Sequence, residues 1–247
     1  MIFTIAFKDL KSLFSSPLAW TILAVLNLVA AYLFLSQVDA FIAIQPQLVQ
    51  LANPPGITEV IVAPLFGGAA MVLLMVVPII SMRLLSEERR HQTLALLISA
   101  PVSMTEIVLG KFVGLMLFLF TIIGLLVAMA LSLYAGGTLD IGLLLSNVLG
   151  ITLLAASFAA LGLFISSLTA QPIIAAVGGL GALLGLWLIN LSAADGDSAL
   201  RYLSLLNHFE PFNRGLIDTA DVAYFLLFIA IFLVLSVRRL DRDRLRG

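Results

Sequence analysis

The stretch IGLLLSNVLGITLLAASFAALGLFISSL, residues Ile141 to Leu168, carries no charged side chain from one end to the other. As a helix rising 1.5 Å per residue, it is long enough to cross the roughly 30 Å hydrocarbon layer of a membrane. It also lacks the polar alternation of a membrane barrel strand, and in lipid a helix pairs its own backbone groups. The stretch therefore predicts a membrane-spanning helix.

Five further apolar runs flank this one, at residues 17–38, 60–82, 107–134, 172–191 and 222–237. Across the chain 62% of residues are hydrophobic, only 11% are charged, and mean hydropathy is +1.15. Soluble domains carry about 25% charged residues, so the apolar side chains must face lipid. We predict one all-α integral membrane domain over residues 1–247, with six transmembrane helices.

Cations indicate the orientation, because cytoplasmic flanks are enriched in Lys and Arg. With six spans and an inner N-terminus, the outer loops hold only Arg201 and Arg214. Eleven of the 13 cations then fall inside: Lys8, Lys11, Arg83, Arg89, Arg90, Lys111, Arg238, Arg239, Arg242, Arg244 and Arg246. Both termini are therefore expected in the cytoplasm. A net charge of −1 excludes the basic character of nucleic-acid binders.

Residues 1–16 precede the first run and show helical periodicity. The apolar positions are Ile2, Phe3, Ala6, Leu10, Leu13 and Phe14, and the polar positions opposite are Thr4, Lys8, Lys11 and Ser15. This pattern favours an interfacial helix lying flat on the membrane. Ile5 and Phe7 blur it, so a frayed extension of the first span is the alternative. Lys8, Asp9 and Lys11 interrupt the apolar stretch and argue against a cleaved signal peptide.

The segment 86–103, SEERRHQTLALLISAPVS, is charged, then amphipathic, and then broken by proline. Thr93 to Ile98 can form a short helix that Pro101 ends before the next span. An ordinary basic loop would account for Arg89 and Arg90. The positive-inside rule does not explain the two acidic residues Glu87 and Glu88, so we interpret the segment as a docking surface.

This segment resembles the loop between spans two and three of ABC-2-type permeases, which reads acid, acid, Arg, Gly-Thr, leucines and Pro-Val. The resemblance implies a type V ABC exporter fold in which this loop is the coupling helix that contacts an ATPase. The residues that inherit this role are Glu87, Glu88, Arg89, Arg90, Thr93, Leu96, Leu97 and Pro101. Two positions depart from the family pattern, since Gln92 replaces a frequent Gly and Ala95 a frequent Glu.

The resemblance also implies an assembly of two permease copies, identical or homologous, with two ATPase subunits. ATP and Mg²⁺ would be bound by the ATPase, and this chain would hold no cofactor or metal. Gly110-Lys111 lacks the remainder of a phosphate-binding loop, and neither His-Glu-x-x-His nor Gly-x-Ser-x-Gly occurs. We therefore expect a non-catalytic subunit. A secondary carrier or a membrane scaffold remains the alternative function.

The outer segment 193–221 is too apolar for a free linker, so we expect short helices that fold back toward the membrane. Its sequence is similar to the gliding-motility-type permeases, which implies an extracytoplasmic auxiliary subunit. The candidate contact residues are Phe209, Glu210, Phe212, Arg214 and Asp218. A metal or acid–base pair of His208 and Glu210 is a weaker reading, because a third ligand is missing.

Overall fold

The computed structural model describes residues 1–48, 56–93, 102–135, 138–192 and 204–244. The described residues form eight α-helices, a π-helical turn at Thr58–Val62 and a 3₁₀ turn at Leu133–Ala135. The helices are α1 (Ile2–Ser15), α2 (Pro17–Leu48), α3 (Ala63–Arg90), α4 (Met104–Ser132), α5 (Ile141–Leu168), α6 (Pro172–Ser192), α7 (Leu205–Asn213) and α8 (Thr219–Arg244).

Within these residues, five helical stretches are long and apolar enough to cross a membrane. They are Pro17–Gln47, Thr58–Arg90, Met104–Ala135, Ile141–Leu168 and Thr219–Arg244. This confirms the all-α membrane class. Helix α6 is also apolar, but the part searched, Pro172–Leu188, is shorter. The six-span count therefore stays a prediction.

Several helices continue beyond the apolar runs seen in the sequence. Helix α2 extends to Leu48 rather than Val38, and α8 runs from Thr219 to Arg244. Helix α3 continues through Arg90, so the charged residues from Ser86 onward are helical. Intrahelical hydrogen bonds persist in water as in lipid, so the edge of the apolar run does not have to end the helix.

Helix α5 lies at the centre of the bundle, between α3, α4, α6, α7 and α8. In its most apolar 18-residue stretch 72% of the residues are buried, against 17% in α2 and in α8. Small side chains allow neighbours to approach closely: a β-carbon at Gly162 would collide with Ser81 of α3. The hydroxyl of Ser166 donates to the Met82 carbonyl at 3.0 Å, which ties α5 to α3.

Helix α1 packs along α4 through two glycines. A β-carbon at Gly114 would lie 2.9 Å from the Ala6 carbonyl oxygen, and one at Gly110 would lie 2.8 Å from the Ile5 β-carbon. Within the chain Ile5 packs inward while Phe3 is exposed, and the position of α1 on the membrane surface stays a prediction. Contact with α4, rather than periodicity alone, determines which side of α1 is buried.

The two ends of the bundle differ in charge. The basic end carries α1, the end of α3, the start of α4 and the end of α8. Arg83 marks the level at which α2 begins, because its Nη1 donates to Ser16 Oγ at 2.9 Å. The acidic end carries Glu59, Asp140, α7 and the start of α8, and there the Asp140 N–H donates to Thr58 Oγ1 at 2.8 Å.

Candidate functional site

At the basic end, the adjacent residues Glu88 and Arg89 point toward different neighbours. Glu88 Oε1 accepts a hydrogen bond from Lys111 Nζ of α4 at 2.7 Å. Arg89 donates instead to Asp243 near the end of α8. Successive residues of a helix are separated by about 100°. The end of α3 is therefore held on two sides, by α4 and by α8.

Lys111 is the most buried charge described at this end, with 2% of its side chain exposed. Its Nζ contacts Glu88 Oε1 and also Asp9 Oδ2 of α1, the latter at 3.2 Å. Lys8, with 59% of its side chain exposed, lies 3.5 Å from Glu88 Oε1 and 3.8 Å from Asp9 Oδ1. These four residues form what we call the ion cluster, which joins α1, α3 and α4.

Electrostatics explain why the cluster stays together. A buried ammonium ion without an opposite charge is strongly disfavoured, and coupling between charges strengthens as water is excluded. The carboxylates of Asp9 and Glu88 both contact the ammonium group of Lys111. The positive charge of Lys8, at the surface, compensates the second negative charge. The four charges sum to zero, so the cluster connects the three helices and does not form an open site for an anion.

A cavity of about 390 Å³ opens beside the ion cluster. Its lining comes from Lys8, Asp9, Ser12, Leu13, Ser16, Arg83, Leu84, Glu87, Glu88, His91, Thr93 and Lys111. A second cavity of about 510 Å³ lies between the end of α3 and the start of α6, lined in part by Arg90, Gln92 and Gln171. The end of α3 thus stands between two polar recesses, which leaves part of its surface accessible.

The predicted coupling residues divide into two groups in the structure. Glu88 and Arg89 turn inward, as described above. Glu87 is 38% exposed and pairs with Arg83 one helical turn earlier, at 3.2 Å. Arg90 and Thr93 are exposed, and Thr93 Oγ1 donates to the Glu88 carbonyl at 3.3 Å.

The later part of the predicted coupling segment, including Leu96, Leu97, Pro101 and the proposed helix at 93–98, lies mostly outside the described residues. Just before it, Gln92 has a φ of +58°. Glycine adopts this left-handed conformation without strain, whereas residues with a side chain rarely adopt it. The segment ends at Ser103, whose side chain caps α4 and forms a reciprocal capping box with Glu106.

Sequence reasoning missed Lys111 and Asp9 as site residues. Lys111 was counted as an ordinary cytoplasmic cation, although it lies about one turn inside the run 107–134 that was predicted to span the membrane. A charge inside a span is expensive unless it is paired, so its position was a usable signal. Asp9 had no comparable signal, because it lies in a short polar stretch of α1.

At the acidic end, Phe209 and Phe212 of α7 are buried against the bundle. A β-carbon at Gly150 of α5 would lie 2.5 Å from the Phe212 β-carbon, and Ser146 Oγ of α5 donates to the Phe212 carbonyl at 2.9 Å. These two aromatic side chains therefore hold α7 against α5. The preceding residues, 193–203, lie outside the described part of the chain.

The other predicted outer residues have local roles. Glu210 and Arg214 are exposed and pair with each other at 2.5 Å. Asp218 Oδ1 accepts the Ala220 N–H at 2.9 Å, at the start of α8. His208 does not join Glu210: its Nδ1 lies 2.6 Å from Asp221 Oδ1. Of these contacts, the one between His208 and Asp221 joins α7 to α8.

Comparison with known proteins supplies the family. No curated protein matches the sequence. A family model described as ABC-2 family transporter protein matches residues 3–245, nearly the whole chain. Together with the apolar helices, this match identifies a multi-pass membrane protein of the permease kind. The chain belongs to the ABC-2 family of transporter proteins and is a permease component of an ABC transporter.

Proposed function

We propose that the chain is the membrane half of an ATP-driven exporter, in which a separate ATPase supplies the work. The match of the ABC-2 family model to residues 3–245 carries this proposal. Two copies of the permease, identical or homologous, would assemble with two ATPase subunits. ATP and Mg²⁺ would bind to those subunits, and this chain would convert their movement into movement of its helices.

The basic end would face the cytoplasm of a bacterial cell. The positive-inside rule supports this orientation, because α1, the end of α3, the start of α4 and the end of α8 carry ten of the 13 cations. Both termini would then be cytoplasmic, with the chain in the inner membrane and six spans once α6 is counted. The short helix α7 would lie on the outer side.

The ATPase would dock on the end of α3 and on the segment that follows it. Exposure supports this division of roles: Glu87, Arg90 and Thr93 are accessible, and Leu96, Leu97 and Pro101 would continue the surface. Glu88 and Arg89 would act differently, by passing displacement of the docking surface into α4, α1 and α8.

The acidic end would receive an auxiliary subunit, as the similarity to gliding-motility-type permeases implies. The accessible groups there are Glu210, Arg214, Leu216 and Ile217, which follow one another around the end of α7. Phe209 and Phe212 would contribute only indirectly, because they are buried within the chain.

Affinity purification of the tagged chain from its native membrane tests the proposal. We expect an ATPase to co-purify with the wild type and to be lost with Leu96→Asp or Leu97→Asp, because a carboxylate in a buried apolar contact is costly. Leu216→Asp is the matched control, since Leu216 is exposed at the opposite end. It should retain the ATPase.

Two results would count against the proposal. One is the absence of any nucleotide-hydrolysing protein in the wild-type preparation. The other is retention of the ATPase by both Leu96→Asp and Leu97→Asp, which would remove the docking role from this segment.

A further inference from the structure

The amide side chain of Asn27 lies near the middle of the predicted membrane. Asn27 is ten residues beyond Pro17 on α2, which places it about 15 Å along the helix at 1.5 Å per residue. Helix α2 begins at the basic end, at the level of Arg83 and Ser16. A hydrocarbon layer of about 30 Å therefore has its midplane close to Asn27.

Asn27 is exposed on the outside of the bundle. Its amide forms no hydrogen bond with any residue that the structure describes. It borders a shallow groove between α2 and α4, next to Leu23 and Leu125. The chain on its own would thus present an unsatisfied amide to lipid, which costs several kcal/mol for each unpaired group.

Other polar groups in the spans are treated differently. The hydroxyls of Thr21, Thr121 and Thr152 donate to carbonyls of their own helices at 2.7–2.8 Å. Asn147, the buried counterpart of Asn27, donates its Nδ2 to the Leu143 carbonyl at 2.9 Å. These hydroxyl groups are satisfied within the chain, and Asn147 pairs its Nδ2 but leaves its Oδ1 without a hydrogen bond among the described residues, whereas Asn27 is exposed and forms no hydrogen bond with them.

We propose that the α2 face around Asn27 is a contact surface for a second copy of this chain, with the two Asn27 amides paired across a two-fold axis. An amide carries both a donor and an acceptor, so it is complementary to an identical amide in an isologous interface. Asparagine side chains are known to hold transmembrane helices together by hydrogen bonds of this kind.

The surroundings of Asn27 permit close approach of a second copy. Ala24 and Ala31 lie one helical turn before and after it on the same side of α2. On α4, next to Leu125 of the groove in the sequence, a β-carbon added at Gly124 would meet nothing within 4 Å. Small residues at such positions allow helix backbones to come near each other, which shortens the distance between the two amides.

The absence of cysteine from the chain makes a direct test possible. Single cysteines are introduced by Asn27→Cys, Ala24→Cys and Ala31→Cys, and membranes are oxidised before non-reducing electrophoresis. We expect disulfide-linked dimers from these three variants. Val25→Cys on another side of α2 and Leu227→Cys on α8, both at exposed positions, are controls that should remain monomeric.

A second measurement follows the amide itself, using fluorescently labelled chain diluted in lipid vesicles. Asn27→Leu should weaken self-association by about three- to fifteenfold, the range seen for single polar contacts between transmembrane helices. Asn27→Gln keeps the amide and should retain most of the association. Equal self-association of Asn27→Leu and wild type would overturn the pairing.

Other outcomes also refute the proposal. Equal cross-linking at Leu227 and Asn27 would mean random collision, and no cross-linking at residues 24, 27 and 31 would mean that something else covers this face. Altered transport by Asn27→Leu without altered association would place Asn27 on a substrate path. The inference uses the second permease copy of the proposed function but needs no ATPase. Loss of ATPase co-purification would therefore leave the disulfide pattern unchanged.

Discussion

Replacing Lys111 by methionine should destabilise the chain far more than the same replacement at Lys8. The two lysines contact the same carboxylates, Asp9 and Glu88, but only 2% of the Lys111 side chain is exposed, against 59% for Lys8. Methionine has a similar length and removes the charge. The comparison therefore isolates the effect of burial on an ion pair.

The magnitude follows from what each substitution leaves behind. Without Lys111, two carboxylates that shared one ammonium face each other in a water-poor site. Breaking a buried ion pair from one side costs about 3–5 kcal/mol. Without Lys8, the ammonium of Lys111 still holds both acids, so only an exposed contact of about 0–1 kcal/mol is lost.

The assay is equilibrium unfolding in detergent mixed with increasing sodium dodecyl sulfate, followed by circular dichroism, for the wild type and both variants. If Lys111→Met unfolds too readily to purify, the double variant Lys111→Met/Glu88→Gln removes one of the stranded charges. It should recover part of the loss. Equal stability of Lys111→Met and Lys8→Met would refute the reasoning, as would a double variant weaker than Lys111→Met.

Three further predictions follow from the packing and the charge distribution. Gly114→Val should detach α1 and expose it to protease, because even a β-carbon there meets a backbone oxygen at 2.9 Å, whereas Gly124→Ala has open space and should leave α1 protected. Backbone amides of α7 should exchange slowly, since its aromatic side chains are buried, and exchange as rapid as in a free linker would contradict the packing. Reporters fused at Gly196 should score extracytoplasmic and those at Gln92 cytoplasmic, while a cytoplasmic signal at Gly196 would break the six-span topology.

Each of the five membrane-length helices contains one of the apolar runs identified in the sequence, because a long apolar run has few alternatives in lipid. Helix α5 even begins and ends where the run does, since Asp140 accepts the Gly142 N–H at 2.8 Å at its start. For other helices, the ends of the apolar runs did not predict where the helix ends. Between Met82, where the apolar run ends, and Arg90, helix α3 contains no glycine or proline, so hydropathy marked a membrane boundary and not a helix end.

The site was predictable only where its residues are consecutive. The segment from Glu87 onward has a recognisable order of residue types, and that order drew attention to it. The partners of that segment are distant in the chain: Lys111 is 23 residues from Glu88, and Asp243 is 154 residues from Arg89. Pairings of this kind arise from how helices pack, and a single sequence holds no record of them.

In helix α3 a small bend near the middle would produce a larger displacement at the end. Pro78 lacks an N–H and removes one backbone hydrogen bond from within it, so bending is easiest there. From Pro78 to Arg90 the helix forms an arm of about 18 Å, at 1.5 Å per residue. A bend of about 10° at Pro78 would move the tip by about 3 Å, comparable to the whole length of the contacts that Glu88 makes there. A small rotation at Pro78 is thus enough to break the ionic contacts that Glu88 makes near the end of the helix.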